Sequence, residues 1–522
     1  MPTTHVINVD LADVFKAPDR KDFIMTLGWG EEVEVVAQTP AHVEIKLTRF
    51  DEQPDGSIKP VETRGFIEPT ASSRISASDV VIDKGQNRVL KVDFVDVQQG
   101  DGMAIETPKG RVILMDGGDN QLFARYLASR HRHSSDAQPK AIDCIVVSHG
   151  DADHFSGLAE IHASEANDNR QKRIFIAPQR VYHNGLVKRP SSVPEIESLG
   201  ATVTVGDETI ITGLETDLLA VSDAQMNTPF RAWKRALKAF QKRGPITFRR
   251  LSQGDDDAFD FLADEPFQIE VLGPILTQAG GVSGLKFLGE PKKGPRIGHE
   301  STQPDEAQFS GKSASHTING HSVILKLTYG GFSFLFAGDL NEESERSLVR
   351  EHDAGRLNLR SEILKVPHHG SSDFTPGFLQ AVSPMISIVS SGDESARKEY
   401  IHPRATLMGA LGRSSRVTEP LIFVTELVAF FQVEGFIDPW HHQIKPDPPL
   451  SDAQRRKKGL IDPAKRGRFF AFSRAAFGLV RVRTDGQRLV VSTSSGQARL
   501  REAYAFEIQA AGEPVPVAVR KA

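Results

Sequence analysis

The sequence predicts an α/β protein with a small all-β unit at its N-terminus. Three observations carry that expectation. Short apolar runs end repeatedly in polar loops and pass into segments of helical period, as over residues 142–158 and 332–352. Residues 1–85 hold only short alternating runs broken by glycine turns. At the end of one apolar run, the stretch Ser148-His149-Gly150-Asp151-Ala152-Asp153-His154-Phe155 concentrates four metal-capable side chains.

Composition narrows the class. A chain of 522 residues corresponds to roughly two to four domains. Charged residues at 25% and hydrophobic residues at 39% describe a globular chain and exclude a disordered one. A net charge of -5 gives no whole-molecule attraction to nucleic acid, so such binding needs a local patch. The one cysteine, Cys144, lies inside an apolar run and is read as packing, without an internal disulfide. Residues 1–25 have no apolar signal core, and the longest apolar stretch, 421–431, is too short for a bilayer and contains Glu426. The expectation is a cytoplasmic protein without a membrane partner.

The N-terminal unit, residues 1–85, reads as strands at 23–27, 32–37, 42–47 and 63–67, with turns at Gly28, Gly30 and 55–57. This pattern resembles a bacterial SH3-like barrel, which implies binding or positioning. Residues 70–78 are the expected linker. Residues 88–415 form the expected catalytic domain. It opens with a strand at 89–95 and a hairpin, 103–107 and 111–115, that ends at Asp116. A helix covers 121–132, and the buried strand 142–147 delivers the motif loop. Strands follow at 173–177, 201–205 and 267–273, and His183 is read as a surface-loop histidine. Residues 274–315 are a long Gly/Pro/Lys-rich loop. Next come His316, Asn319 and His321 ahead of a strand at 323–328, then a strand at 332–337 leading to Asp339, and a helix at 341–352. A strand at 363–366 ends at His368-His369-Gly370, one at 385–389 ends at Ser390-Ser391-Gly392, and His402-Pro403 opens a helix. Residues 416–522 are a C-terminal extension closing in a hairpin around Thr484-Asp485-Gly486, with His441-His442 and basic runs at 455–458 and 465–468 read as structural or solvated.

The motif spacing carries chemistry. In an extended loop residues two apart point the same way, so His149, Asp151 and Asp153 can converge while His154 reaches a second ion. Asp339, a carboxylate emerging from a buried strand, needs a cation partner. Together with Asp96-Val97-Gln98-Gln99-Gly100-Asp101, Leu114-Met115-Asp116-Gly117-Gly118, Leu335-Phe336-Ala337-Gly338-Asp339, Lys365-Val366-Pro367-His368-His369-Gly370-Ser371 and His402-Pro403, the motif resembles the metallo-β-lactamase superfamily. Asp151 stands where that family's second histidine would be, and the variant resembles the hydrolase domain of ComEC-type competence proteins over residues 90–410. The resemblance implies an αββα sandwich and a dinuclear hydrolase using two divalent ions, zinc or manganese. Site one would use His149, Asp151 and Asp339 with His316, His321 being the other histidine of that stretch able to ligate. Site two would use Asp153, His154, Asp339 and one of His368 and His369. Asp116 and Asn319 would support ligands from behind. The carboxylate at Asp151 makes site one harder, which favours manganese or magnesium while leaving zinc open. Asp153, His369 and His402 are the candidate catalytic residues, a non-ligand histidine donating to a phosphate oxygen or leaving group.

Residues 230–250 carry Phe230, Trp233, Leu237 and Phe240 at helical spacing, with Arg231, Lys234, Arg235, Lys238, Lys242 and Arg243 on the other face. That face is either a solvated surface or a track for a phosphate backbone. With the resemblance it favours a phosphodiesterase or nuclease acting on DNA or RNA. The alternatives are a small-molecule ester, lactone or phosphoester hydrolase, and a non-catalytic binding module.

Overall fold

The computed structural model describes residues 4–52, 58–70, 73–132, 134–291, 309–392, 402–426, 435–438, 443–446, 478–494, 502–509 and 512–522. The turn at 55–57, His441-His442 and the basic runs at 455–458 and 465–468 lie outside the described residues, as does much of the 274–315 loop.

Two sheets pack face to face. One has ten strands in the order Thr247–Arg250, Arg180–His183, Cys144–Val146, Val112–Asp116, Gly102–Glu106, Leu90–Phe94, Leu479–Thr484, Arg488–Ser494, Ala503–Ile508 and Pro514–Val517. The other has six, in the order Gln268–Gly273, Ile324–Tyr329, Phe332–Phe336, Ile363–Lys365, Ile386–Val389 and Leu421–Val424. Alternation along each strand sorts residues by face. Ile113, Met115, Cys144 and Val146 join Phe332, Phe334 and Phe336 in the core between the sheets. Val112, Leu114, Ile145 and Val147 face outward onto the helices Leu122–Arg130, Ala152–Ser164 and Thr228–Phe240. Leu335, Ala337 and Leu364 face the helices Glu342–Asp353, Pro376–Val382 and Ala405–Ser414 on the far side. The layering is helix, sheet, sheet, helix, as expected.

The N-terminal unit is an antiparallel sheet of seven strands, ordered Phe23–Gly28, Leu11–Phe15, Ile58–Ile67, Val43–Glu52, Glu32–Gln38, Thr4–Ile7 and Val81–Asp83. Thr4–Ile7, Leu11–Phe15 and Val81–Asp83 go beyond the strands expected from the sequence; Asp13 interrupts the apolar run of Leu11–Phe15. Asp10 is 1% exposed yet paired: the Arg488 fork grips both its oxygens, with Nε 3.0 Å from Oδ1. The C-terminus returns to this unit. Ala522 N donates to Leu11 O at 3.0 Å, and its methyl joins the unit's core. The expected C-terminal hairpin forms and adds to the ten-stranded sheet, pairing Val480 with Phe94 and Val482 with Val92.

Candidate metal centre

Parallel pairing brings the chemistry to one edge. Cys144–Val146 lies between Val112–Asp116 and Arg180–His183, parallel to both. In the other sheet Phe332–Phe336, Ile363–Lys365 and Ile386–Val389 also run parallel. The loops after these strands carry Asp116, the motif, Asp339, His368-His369 and Ser390, which is where ligands gather in α/β sheets. The helix Ala152–Ser164 starts with Asp151 as its N-cap, placing Asp153 and His154 in the first turn. Gly100 sits against that turn. A Cβ there would lie 1.7 Å from Asp153 O, and its φ of +97° suits glycine alone.

Three donor atoms converge, with a fourth beside them. Asp339 Oδ2 lies 3.3 Å from His154 Nε2 and 3.1 Å from His369 Nε2. The two ring nitrogens are 3.3 Å apart, and Asp153 Oδ2 is 3.6 Å from His369 Nε2. Ligands held 2.0–2.2 Å from a tetrahedral cation are roughly 3.3–3.6 Å from one another. The spacing of Asp339 Oδ2, His154 Nε2 and His369 Nε2 therefore fits one divalent ion, and Asp153 Oδ2 stands beside them, 3.6 Å from His369 Nε2.

The remote ring nitrogens are fixed from behind. Asp116 Oδ2 accepts from His154 Nδ1 at 2.9 Å, and Asp116 also accepts from Ser148 N and Oγ at 2.7 and 2.6 Å. His369 Nδ1 donates to Ser390 O at 3.1 Å and lies 3.5 Å from Asp101 Oδ1. Such partners set the tautomer that leaves Nε2 free to ligate. Asp101 falls within the same His/Asp group as His154, Asp339 and His369. It faces Nδ1 atoms and pairs with the buried ammonium of Lys365, so its carboxylate supports ligands. Burial pushes the imidazolium form of His154 and His369 down, but Asp339 and the neighbouring carboxylates outweigh it and hold both rings protonated well above the usual histidine range.

The other half of the motif is arranged differently. His149 is fully buried; its Nδ1 faces Ser148 Oγ at 3.0 Å and Ser322 Oγ at 3.3 Å. Both hydroxyls already donate elsewhere, so Nδ1 is the donor and Nε2 carries the lone pair. His149 Nε2 has no hydrogen-bond partner among the described residues. Burial and the nearby His154 keep this ring neutral, well below its ordinary range. Asp151, however, is already engaged. Lys188 Nζ donates to its Oδ1 at 2.7 Å. With the amide nitrogen of Asn319 turned toward its acceptors, it donates to Asp151 Oδ2 at 2.9 Å.

The other expected residues fall as follows. His369, not His368, enters the ion-sized cluster, since the turn Pro367–Gly370 holds both in left-handed backbone with φ of 49° and 51° and points them apart. His316 faces Asp373, with Nδ1 3.7 Å from Oδ2, and stands outside the cluster. His321 donates to Lys286 O at 2.7 Å, and His183 contacts Thr216 O at 3.1 Å and accepts from Gly185 N, so both hold backbone. His402 is buried with its ring 6.3 Å from that of His368; burial and the two neighbouring histidines push it down to about 3, so it is neutral. It can offer an N–H to a phosphate oxygen, but it holds no ready proton for a leaving group.

The basic helix needs correction. Thr228–Phe240 forms and packs on the motif helix, the tilted rings of Phe230 and Phe155 lying 4.6 Å apart. Lys234 is buried, bonded to Val221 O and, at 2.8 Å, to Asp223. Arg243 forks onto Glu165 at 2.8 and 2.7 Å and onto Asp136 at 2.9 Å. Arg231 donates to Met226 O at 2.8 Å. Of the six cations expected to face a phosphate track, Arg235, Lys238 and Lys242 are the exposed ones. The partners of the others are set by folding, at positions the helical period cannot show.

Lys188 joins the site without any mark in the sequence pattern, while Asp101, Lys365 and Ser390 stand in stretches that the pattern marks but to which it gives no role of their own. Lys365 has a signal, a lysine closing an apolar strand. It is 1% exposed and donates to Gly338 O at 2.9 Å. Lys188 has none, its partner being 37 residues distant in the chain.

The αββα layering and the histidine–carboxylate cluster define a metallo-β-lactamase fold, and residues 95–167 match the metallo-beta-lactamase superfamily. Competence protein ComA of Neisseria gonorrhoeae is 42% identical over 86 residues, 16% of this chain and 12% of that protein. ComE operon protein 3 of Bacillus subtilis (strain 168) is 23% identical over 339 residues, 62% of this chain and 31% of that protein. The matched region thus spans less than a third of either relative. A crystal structure of a diphosphatase from the PhnP family aligns over 60% of this chain and 90% of its own, at 12% identity and a TM-score of 0.24. No helix among the described residues is long and apolar enough to cross a membrane.

Proposed function

We propose that this chain is a metal-dependent phosphodiesterase of the nuclease kind, acting on DNA or RNA. The observation that carries the hydrolytic part is the convergence of His154 Nε2, His369 Nε2 and Asp339 Oδ2 at the spacing of a divalent ion's ligands, with Asp153 Oδ2 3.6 Å from His369 Nε2. A bound zinc or manganese ion would supply Lewis acidity and lower the pKa of water in its shell. The protein does the rest. Asp116 and Ser390 O hold the two imidazoles in the ligating tautomer. Gln99 Nε2 donates to Asp153 Oδ2 at 3.0 Å and fixes that carboxylate. His402 and His368 stand beside the centre, and a ring N–H of His402 is suited to a non-bridging phosphate oxygen. Preorganised donors of this kind stabilise the charge that develops on the phosphoryl group.

A phosphodiester is favoured by the likeness to competence proteins and by the exposed cations Arg235, Lys238 and Lys242 on the helix packed against the motif. The test is cleavage of labelled single- and double-stranded DNA and RNA with manganese, magnesium or zinc, beside Asp153→Ala. Metal-dependent cutting that the variant loses and that weakens steeply with salt supports the reading. Cutting of a small phosphoester but of no nucleic acid would replace it with the small-molecule alternative.

A further inference from the structure

We infer that the metal centre holds one ion per chain, and that Lys188, held by Asp151, takes the place of a second cation and meets the substrate's phosphate. The phosphate part rests on the phosphodiesterase reading; the ion count does not. The observations concern the half of the motif that family likeness would assign to a second ion. Both oxygens of Asp151 are already bonded to nitrogen donors of the protein, Lys188 Nζ at 2.7 Å and the Asn319 amide at 2.9 Å. His316 turns Nδ1 to Asp373 at 3.7 Å. Among the described residues, the donor atoms found close enough together to hold an ion form a single group, around His154, His369 and Asp339, and His149, Asp151 and His316 stand outside it. An ammonium on the Asp151 carboxylate satisfies its charge without an ion.

Lys188 is placed for this role. Its loop follows the strand Arg180–His183, whose neighbour in the sheet delivers the motif. The backbone is tied down on both sides. Asn184 Nδ2 donates to His321 O at 2.9 Å, Gly185 N to His183 Nδ1 at 3.0 Å, and Asn227 N to Lys188 O at 2.9 Å. Leu186 and Val187 are buried just before it. The side chain of Lys188 keeps 32% of its surface and that of Asp151 20%, so the ammonium is fixed by its carboxylate yet open to an incoming oxyanion. A lysine has three N–H donors, and the carboxylate contact leaves others for a phosphate oxygen. The chemistry it fits is a single anionic phosphoryl oxygen, next to the ion held by His154, His369, Asp339 and Asp153.

The experiment counts metal first. Purified full-length protein is loaded with manganese or zinc and titrated calorimetrically, with bound metal measured after desalting. The wild type should hold one ion per chain. Asp151→Asn should still hold one, because Asp151 is not a ligand here. Lys188→Ala should admit a second, weaker ion by freeing Asp151, and Lys188→Arg should remain at one. With metal supplied at one equivalent, Lys188→Ala should bind inorganic phosphate about tenfold more weakly than the wild type. Two ions of similar affinity in the wild type, or loss of the bound ion in Asp151→Asn, would overturn the inference. So would unchanged phosphate affinity in Lys188→Ala. None of these readings needs nucleic-acid cleavage, so a failure of the nuclease reading is seen separately.

Discussion

Two groups of buried histidines flank the motif loop, and they differ in what faces them rather than in burial. His154 and His369 are 0% and 2% exposed, and carboxylates surround them; both rings are held protonated well above the ordinary range. His149, His183 and His321 are also buried, at 0%, 4% and 6%, but hydroxyls and backbone groups face them, and all three are pushed down. Burial disfavours the imidazolium in every case, and only a neighbouring carboxylate reverses it. The first group, with Asp339, has the donors that could hold a cation. Of the second, His183 and His321 brace the loops that carry Lys188 and Asn319. A count of histidines near a motif therefore overstates the ligands.

The largest effects should come from the carboxylate-rich group. Asp153→Ala or His369→Ala should lower hydrolysis by about a thousandfold or more and release the metal, read together by turnover and metal content. Retained metal and activity in both variants would break the comparison at its root.

The bracing group should show in acid. Burial pushes His183 and His321 down to about 4, against an ordinary value of 6.5. Between those values the unfolded chain binds protons that the folded chain refuses. Their contribution is therefore complete above about pH 6.5 and is lost as pH falls toward 4, on the order of 3 kcal/mol per histidine. Denaturation midpoints measured across that window should flatten in His183→Gln relative to the wild type; an equal slope would mean that His183 is not held neutral.

Asp116 sharpens the comparison within the ion-binding group. Asp116→Asn keeps the shape but loses the anion behind His154, and should weaken metal affinity by about 10–100-fold. Calorimetric titration reads it, and an unchanged constant would remove the supporting role.

The smallest effects separate structural from exposed cations on the neighbouring helix. Lys234→Ala should cost about 1–3 kcal/mol of stability by leaving Val221 O and Asp223 without their donor. Lys238→Ala should leave denaturation unchanged and, if the nuclease reading holds, reduce the salt slope of DNA binding by roughly one. The reverse pattern would restore Lys234 to the phosphate track.

Local order was legible where it depends on neighbours in sequence. The strand before the motif, the four metal-capable residues at its end, Asp339 and the His368-His369 pair could all be read, because an apolar run that stops abruptly at charged groups marks a buried strand delivering them to a sheet edge. The choice of His369 over His368 was not legible. It depends on two consecutive residues in left-handed backbone, which spacing does not reveal. The helix Thr228–Phe240 was legible as a helix, but two of its supposed surface cations proved to be anchors. A helical period shows which residues share a face, not what the next segment sets against it.

The sequence by itself determined the layered α/β architecture, the edge where chemistry gathers and the kind of donor atoms found there. These follow from hydrophobic period and from residue types a few positions apart. Only the tertiary structure decided how those donors divide. Asp101 and Asp116 came to stand behind the histidines, Lys365 beside Asp101, and Lys188 on Asp151. Each of these pairings joins residues 37 or more positions apart in the chain, and the energy that fixes them, a buried charge finding its counter-charge, exists only once the sheets have packed.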